Sequence, residues 1–319
     1  MFTGEILSLF VALSWTATAL FAEVASKRMG SLPLNTLRMT MSLILLSITL
    51  WVMMGTPWPR YADSATWMWL ALSGVVGYVI GDYCLMQGYI YIGSRFGQLF
   101  MTLSAPTAAL TGFLLLGETM KPQAILGMII TLSGIAISIL SKKGDSVKMA
   151  LPRKGIFFAA VAGICQGLGL VLSKIGLEHY HLALSLEETL QMGEAQHAAS
   201  LQIYVPFAAT FIRASIGLIG FFLLLRVFNR DWKEKLRHAA TDRKAMWCLL
   251  GATVFGPFIG VSASLLATMY TSTGIAQTLF ALTPVLIIAP SAFFFHEKVT
   301  FREILGAILS VGGVTLFFF

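Results

Sequence analysis

LLLGETMKPQAILGMIITLSG at 114–134 and FFFHEKVTFREILGAILSVGG at 293–313 are two copies of one pattern, and their separation sets how the whole chain is read. In each, an apolar run closes, an acid follows at Glu118 or Glu297, and a second apolar run carries paired glycines. The offset of 179 that superimposes these acids also carries Gly127 onto Gly306, Gly134 onto Gly313, Gln98 onto Gln277, Gly77 onto Gly256 and Gly81 onto Gly260. Self-similarity at one offset is the mark of an internal repeat. Earlier in each copy the offset is smaller: Ser26 and Lys27 match Ser173 and Lys174 at 147, and Arg38 matches Arg213 at 175. The difference of 28 residues locates an insertion around HYHLALSLEETLQMGEAQHAAS, 179–200.

The rest of the chain is suited to lipid. Of 319 residues, 57% are hydrophobic and 12% charged, against roughly 25% charged in an ordinary soluble domain. Apolar segments of about 18 or more residues, enough to cross roughly 30 Å of hydrocarbon, recur from end to end. They lack the alternation of transmembrane strands, as in MSLILLSITLWVMM at 41–54, which excludes a β-barrel. The pattern predicts ten helices over 5–26, 33–54, 67–91, 96–117, 122–141, 155–177, 204–228, 245–270, 275–295 and 301–319. Five helices per copy is an odd number, so the second copy enters from the opposite face of the membrane. The expected fold is an all-α integral membrane protein of two inverted five-helix repeats. The first repeat covers 1–141, a basic loop 142–154 connects, and the second covers 155–319 with an acidic insertion at about 178–203.

MFTGE places no Lys or Arg ahead of the first apolar run, so that run reads as a retained helix and not a signal peptide. Cys84, Cys165 and Cys248 each fall inside a predicted span, and three cysteines imply no disulfide framework. The formal charge is +7, with 12 of 22 Lys and Arg in the loop 142–154 and the segment Arg226 to Lys244. Cations between apolar helices point to anionic lipid headgroups, with no nucleic acid as partner. The same count makes those loops cytoplasmic and both termini external.

Taken together, the paired motifs, Ser26-Lys27 and Ser173-Lys174 closing the first and sixth helices, and an arginine early in the second and seventh resemble the drug/metabolite transporter superfamily, EamA type. The resemblance covers nearly the whole chain. It implies ten helices and metabolite export, and its relatives commonly place both termini in the cytoplasm, opposite to the charge count. His296 where the first copy has Gly117, and the acidic insertion, depart from the repeat.

Asp82, in GYVIGDYCLM at 77–86, is the residue most at odds with its surroundings. It lies about nine residues, or roughly 13 Å, from the nearer end of the third helix, close to the midplane. A central aspartate costs about 2.5–3.5 kcal/mol on insertion scales, so it is expected to face a wet interior and a partner, with Arg38 the candidate. Pro106 and Pro284, near the middle of the fourth and ninth helices, free backbone carbonyls at depth and point to a central substrate site. Gln87, Gln98 and Gln277 offer neutral polar groups there, and Trp15, Tyr83 and Phe100 flat apolar walls. Glu23 and Lys27, four residues apart, form an ion pair on one helix face, and with Lys174 and Arg213 they are candidates for gating. Gly77, Gly81, Gly256 and Gly260 form GxxxG contacts that bring helices together. Glu118 and Glu297 are expected to make helix-end contacts.

His179, His181 and His197 with Glu178, Glu187, Glu188 and Glu194 fit no compact metal motif, so no metal site is expected. No phosphate loop, dinucleotide fingerprint or nucleophile elbow occurs, which argues against an enzyme, an ATP-driven pump or a bound cofactor. The expectation is a secondary transporter of a small polar or amphipathic metabolite such as an amino acid, in the plasma (inner) membrane, with protons as a candidate coupling partner. The alternative is a membrane scaffold or lipid-handling protein without solute transport.

Overall fold

The computed structural model describes residues 2–140, 152–190, 197–288, 290 and 301–316. Among them ten apolar helices follow one another: α1 (Thr3–Met29), α2 (Ser31–Met54), α3 (Ser64–Ser94), α4 (Phe96–Leu116), α5 (Pro122–Leu140), α6 (Arg153–Leu190), α7 (His197–Phe228), α8 (Arg243–Thr268), α9 (Thr273–Leu286) and α10 (Phe301–Thr315). Seven of them, α1–α4 and α6–α8, are long and apolar enough to cross a membrane, and the described parts of α5, α9 and α10 are shorter apolar helices. The fold is an all-α, multi-pass membrane protein. A short polar helix, Trp232–Thr241, links α7 to α8.

Helix starts repeat as the glycines do. Asp63 accepts from Thr66 N (2.8 Å) to cap α3, and Asp242, 179 positions on, accepts from Ala245 N (3.1 Å) to cap α8. The Thr66 bonds hold the Asp63 carboxyl below its ordinary range. The Arg28 guanidinium, 2.6 Å from Asp242, does the same there and fastens α1 to the start of α8. Asp63→Ala is expected to cost about 1 kcal/mol at neutral pH. Because the folded pKa is the lower one, this contribution is present above the unfolded value, about 3.9, and disappears as pH falls through the folded one. Melts of both proteins should therefore converge in acid.

The helices α6 and α7 differ from expectation at the insertion. Residues 178–190 continue α6 to 38 residues, and α7 begins at His197, not near 204. Alanine, leucine and glutamate dominate 183–190, all strong helix formers, and no glycine or proline interrupts them. At 1.5 Å per residue α6 reaches about 57 Å, well beyond the hydrocarbon core. Its overhang and the start of α7 grip the α2–α3 loop: Tyr180 of α6 donates to Arg60 O (2.5 Å), and Tyr204 of α7 accepts from Arg60 N (2.7 Å).

Packing between the halves is self-complementary. Where α5 meets α10, Thr131 Oγ1 donates to Ser310 O and Ser310 Oγ to Thr131 O, each at 3.3 Å, and the two residues are 179 apart. Such a contact maps onto itself under the two-fold axis of an inverted pair. On the outside, Ile44, Ile48, Trp51, Val52, Leu110, Phe113 and Leu114 are exposed and form lipid-facing surface.

Both α3 and α8 depart from α geometry near the middle of the helix. Gly74–Asp82 and Val254–Phe258 are π-helical, at corresponding places in the two repeats. A π segment inserts an extra residue per turn, rotates the side chains that follow, and is frequent at functional sites. Pro257 sits within the second of these segments, where it donates no backbone bond.

Candidate substrate site and its flanking ion pairs

A cavity of about 690 Å³, its open mouth included, lies between the two π segments. Trp15 and Thr18 of α1, Arg38 of α2, Asp82 and Tyr89 of α3, Gln98 of α4, Gln166 of α6, Arg213 of α7, Pro257 of α8 and Gln277 of α9 line it. Both repeats contribute.

Asp82 closes the first π segment and is buried. One carboxylate oxygen accepts from Arg38 Nη2, the other from Gln166 Nε2 at 2.8 Å. Gln166 also donates to Gly77 O (3.1 Å), a carbonyl of the π segment. The aspartate is thus held by one helix of its own repeat and one of the other. Ser14 of α1 likewise donates to Phe255 O (2.7 Å), a carbonyl of the second π segment. Gln277 accepts from Ser104 (3.1 Å) and donates to Gln166 O (3.4 Å), while its repeat mate Gln98 donates to the buried Tyr89 hydroxyl.

Arg213 reaches the same cavity. Its guanidinium stacks over Tyr78, 4.9 Å from the ring centre, and its buried Nε has no hydrogen-bond acceptor among the described residues.

At opposite ends of α4, two carboxylates are held alike. Glu118, just past the C-terminus of α4, binds Lys174 Nζ at 2.6 Å through one oxygen. Its other oxygen accepts from Thr273 N (2.9 Å) and Thr273 Oγ1 (2.5 Å) at the start of α9. Glu23 of α1 binds Lys27 Nζ at 2.5 Å through one oxygen. Its other oxygen accepts from Ser94 N (3.0 Å) and Ser94 Oγ, where α3 ends and α4 begins. Lys27 matches Lys174 at the offset of 147, and Ser94 matches Thr273 at 179. Each carboxylate satisfies a helix N-terminus that would otherwise present unpaired N–H groups. Each also ties a lysine-bearing helix to the helix that begins there. Gly93, at φ 78°, supplies the left-handed turn that lets α4 start beside Glu23.

Of the residues singled out in the sequence, Trp15, Arg38, Asp82, Gln98 and Gln277 meet in the cavity, joined by Arg213, which had been grouped with the gate. Glu23, Lys27 and Lys174 lie in the two end clusters. Tyr83, Gln87, Phe100, Pro106 and Pro284 are not among the lining residues. Gln87 donates instead to Ser31 (3.0 Å) and Tyr83 (3.2 Å), and Tyr83 meets Phe158 edge-on. Pro106 is exposed and Pro284 buried, each just after a break in its helix where Ser104 and Thr283 donate to the carbonyls of Met101 and Phe280. The glycines have separate tasks. A Cβ on Gly81 would stand 3.3 Å from Cys165 and Gln166 of α6, and one on Gly260 3.0 Å from Trp15 Nε1 of α1. A Cβ on Gly256 would lie 3.1 Å from Thr18, and one on Gly77 3.0 Å from Arg213 Nη2. Glu297, His296 and the loop 142–151 lie outside the described residues, as do the side chains of Glu187, Glu188, Glu194 and His197. Sequence reasoning missed Gln166, Tyr89 and Pro257. A glutamine deep inside the sixth span, away from the Ser173-Lys174 pair that closes it, was the available signal for the first.

Comparison with known proteins agrees with this architecture. The model of the EamA-like transporter family matches residues 2–140 and 197–319, one segment in each half. Over 122 residues the chain is 30% identical to the uncharacterized inner membrane transporter YhbE of Escherichia coli strain K12, a match covering 37% of this chain and 36% of that one. Over 118 residues it is 25% identical to an uncharacterized transporter of Archaeoglobus fulgidus, covering 37% and 39%. The chain therefore spans little more than a third of the length of these curated relatives. A crystal structure at 15% identity superimposes with a TM-score of 0.66 over 98% of this chain and 94% of its own, a likeness of fold. With a family match in each half and transporters among its relatives, the chain belongs to the EamA-like transporter family.

Proposed function

We propose that the protein is a secondary transporter that exports a small polar or amphipathic metabolite, an amino acid among the candidates, across the inner membrane by alternating access. The repeats 1–141 and 155–319 are the moving halves, and the Glu23 and Glu118 clusters are latches at the two mouths. The observation that carries this reading is the buried Arg38–Asp82 pair in a cavity shared by both repeats. Ionisable groups at membrane depth mark substrate or ion pathways. Two related halves with a site between them are the architecture in which rocking exposes that site to either side. Asp82 is the carboxylate able to exchange a proton with the cavity, so protons are the proposed coupling ion. The transporter families to which this chain is similar are a non-enzyme class.

The test is flux into proteoliposomes. Wild-type protein is expected to move a radiolabelled solute from a metabolite panel faster with an imposed pH gradient than without one. The folded fraction of Asp82→Asn should lose that pH response and retain solute counterflow. No flux of any panel solute, together with transbilayer movement of labelled phospholipid, would favour the lipid-handling alternative.

A further inference from the structure

The two halves are not electrostatically equivalent. Arg38 and Arg213 are repeat mates, but Asp82, the counter-ion of Arg38, corresponds at the offset of 179 to Val261. Val261 lines the same cavity. Among the described residues the wall therefore carries two guanidiniums and one carboxylate, and the other lining residues are uncharged. Arg213 is 4% exposed, its Nε has no acceptor, and among the described residues its guanidinium has no carboxylate partner. Gly77 leaves room for it, since a Cβ there would stand 3.0 Å from Nη2. Asp82 acts on it only at a distance, with both oxygens already engaged by Arg38 and Gln166; a buried cation compensated so incompletely is costly, and the contact with Tyr78 offsets only part of that. A neutral side chain would pack in the same space at lower cost.

We propose that Arg213 anchors an oxyanion of the transported solute, a carboxylate or a phosphate, which supplies the negative charge the second repeat lacks. Arg213 offers a planar fork of donors matched to either group. The apolar walls, Trp15, Leu85, Met101 and Leu170, receive the rest of the solute. This rests on the reading of the cavity as a substrate site and adds the charge of what it takes.

The experiment follows thermal unfolding of the full-length protein in detergent with hexanoate, its neutral amide hexanamide, inorganic phosphate, and phosphatidylglycerol micelles, chloride keeping ionic strength constant. A ligand that binds only the folded state raises the midpoint. Hexanoate or phosphate is expected to raise it by at least about 2 °C, and hexanamide to leave it unchanged. Arg213→Gln should lose the shift, Arg213→Lys should keep part of it, and Arg213→Gln without ligand should melt no lower than wild type. Equal shifts with hexanoate and hexanamide, or a full shift in Arg213→Gln, would overturn the anion anchor and leave the transporter reading standing, since a neutral solute would still occupy the cavity. Absence of a shift with both soluble anions also overturns it, and a shift with phosphatidylglycerol alone makes the anion a lipid headgroup and not a solute. An Arg213→Gln protein that melts far below wild type without ligand assigns the arginine to structure. The transporter reading stands or falls separately, on the flux measurement.

Discussion

Asp82→Asn is expected to destabilise the protein by about 3–5 kcal/mol, the usual cost of removing one partner from a buried ion pair. The asparagine amide would set a donor against Arg38 Nη2, and Arg38 Nε already lacks an acceptor. The bond from Gln166 at 2.8 Å can survive, since asparagine keeps one carbonyl oxygen. Arg38→Gln should cost less, because an orphaned carboxylate can take up a proton while a guanidinium cannot shed one. The double variant Arg38→Gln/Asp82→Asn should then recover much of the loss, because a neutral pair leaves no charge unpaired. Unfolding in detergent or mixed micelles, arranged as a double-mutant cycle, reads the coupling directly. Additive losses, or a single Asp82→Asn within about 0.5 kcal/mol of wild type, would show that the pair does not hold α2 to α3.

Gly134→Val and Gly313→Val should each cost about 1–3 kcal/mol, with nearly equal losses. A Cβ on Gly134 would stand 2.6 Å from Ser310 N and 2.7 Å from Gly306 O. One on Gly313 would stand 2.6 Å from Thr131 N and 2.9 Å from Gly127 O. These are backbone atoms, so the helices must separate and the paired Thr131 and Ser310 bonds must break. Both substitutions open the same α5–α10 contact, so the double variant should cost less than the sum. Gly312→Ala is the control. Nothing lies within 4 Å of a Cβ there, and the change should be neutral or slightly stabilising. Wild-type melting of either valine variant, or unequal losses at the two mates, would contradict the two-fold contact.

Much of this protein could be read without coordinates. Long apolar runs can satisfy their backbone groups in lipid only as helices, so composition and run length determined an all-α membrane fold. The offset of 179 with an odd helix count determined inverted repeats, and the cost of a charge at the midplane determined that Asp82 needs a partner such as Arg38. Gln98 and Gln277 were visible as repeat mates for the same reason: the signal is local, or recurs at a fixed spacing.

Which side chains converge was decided by tertiary structure. Gln166 reaches Asp82 from 84 residues away, and Glu118 meets Lys174 across 56 and Thr273 across 155. Nothing in either neighbourhood encodes those distances. The rotation of each helix about its axis sets which face meets the cavity, and a membrane helix that is apolar all round carries little hydropathy signal to reveal it. The π segments compound the difficulty, because one extra residue per turn rotates every side chain that follows, and hydropathy is unchanged by it. Tyr83 and Gln87, directly after the first π segment, pack together against Ser31 and Phe158 and not into the cavity beside Asp82. Arg213 reads in the sequence as the repeat mate of Arg38 and a gating candidate. In the structure it lies in the cavity with no carboxylate partner among the described residues, the position matching Asp82 being Val261, and only packing the two halves face to face gives that substitution a consequence.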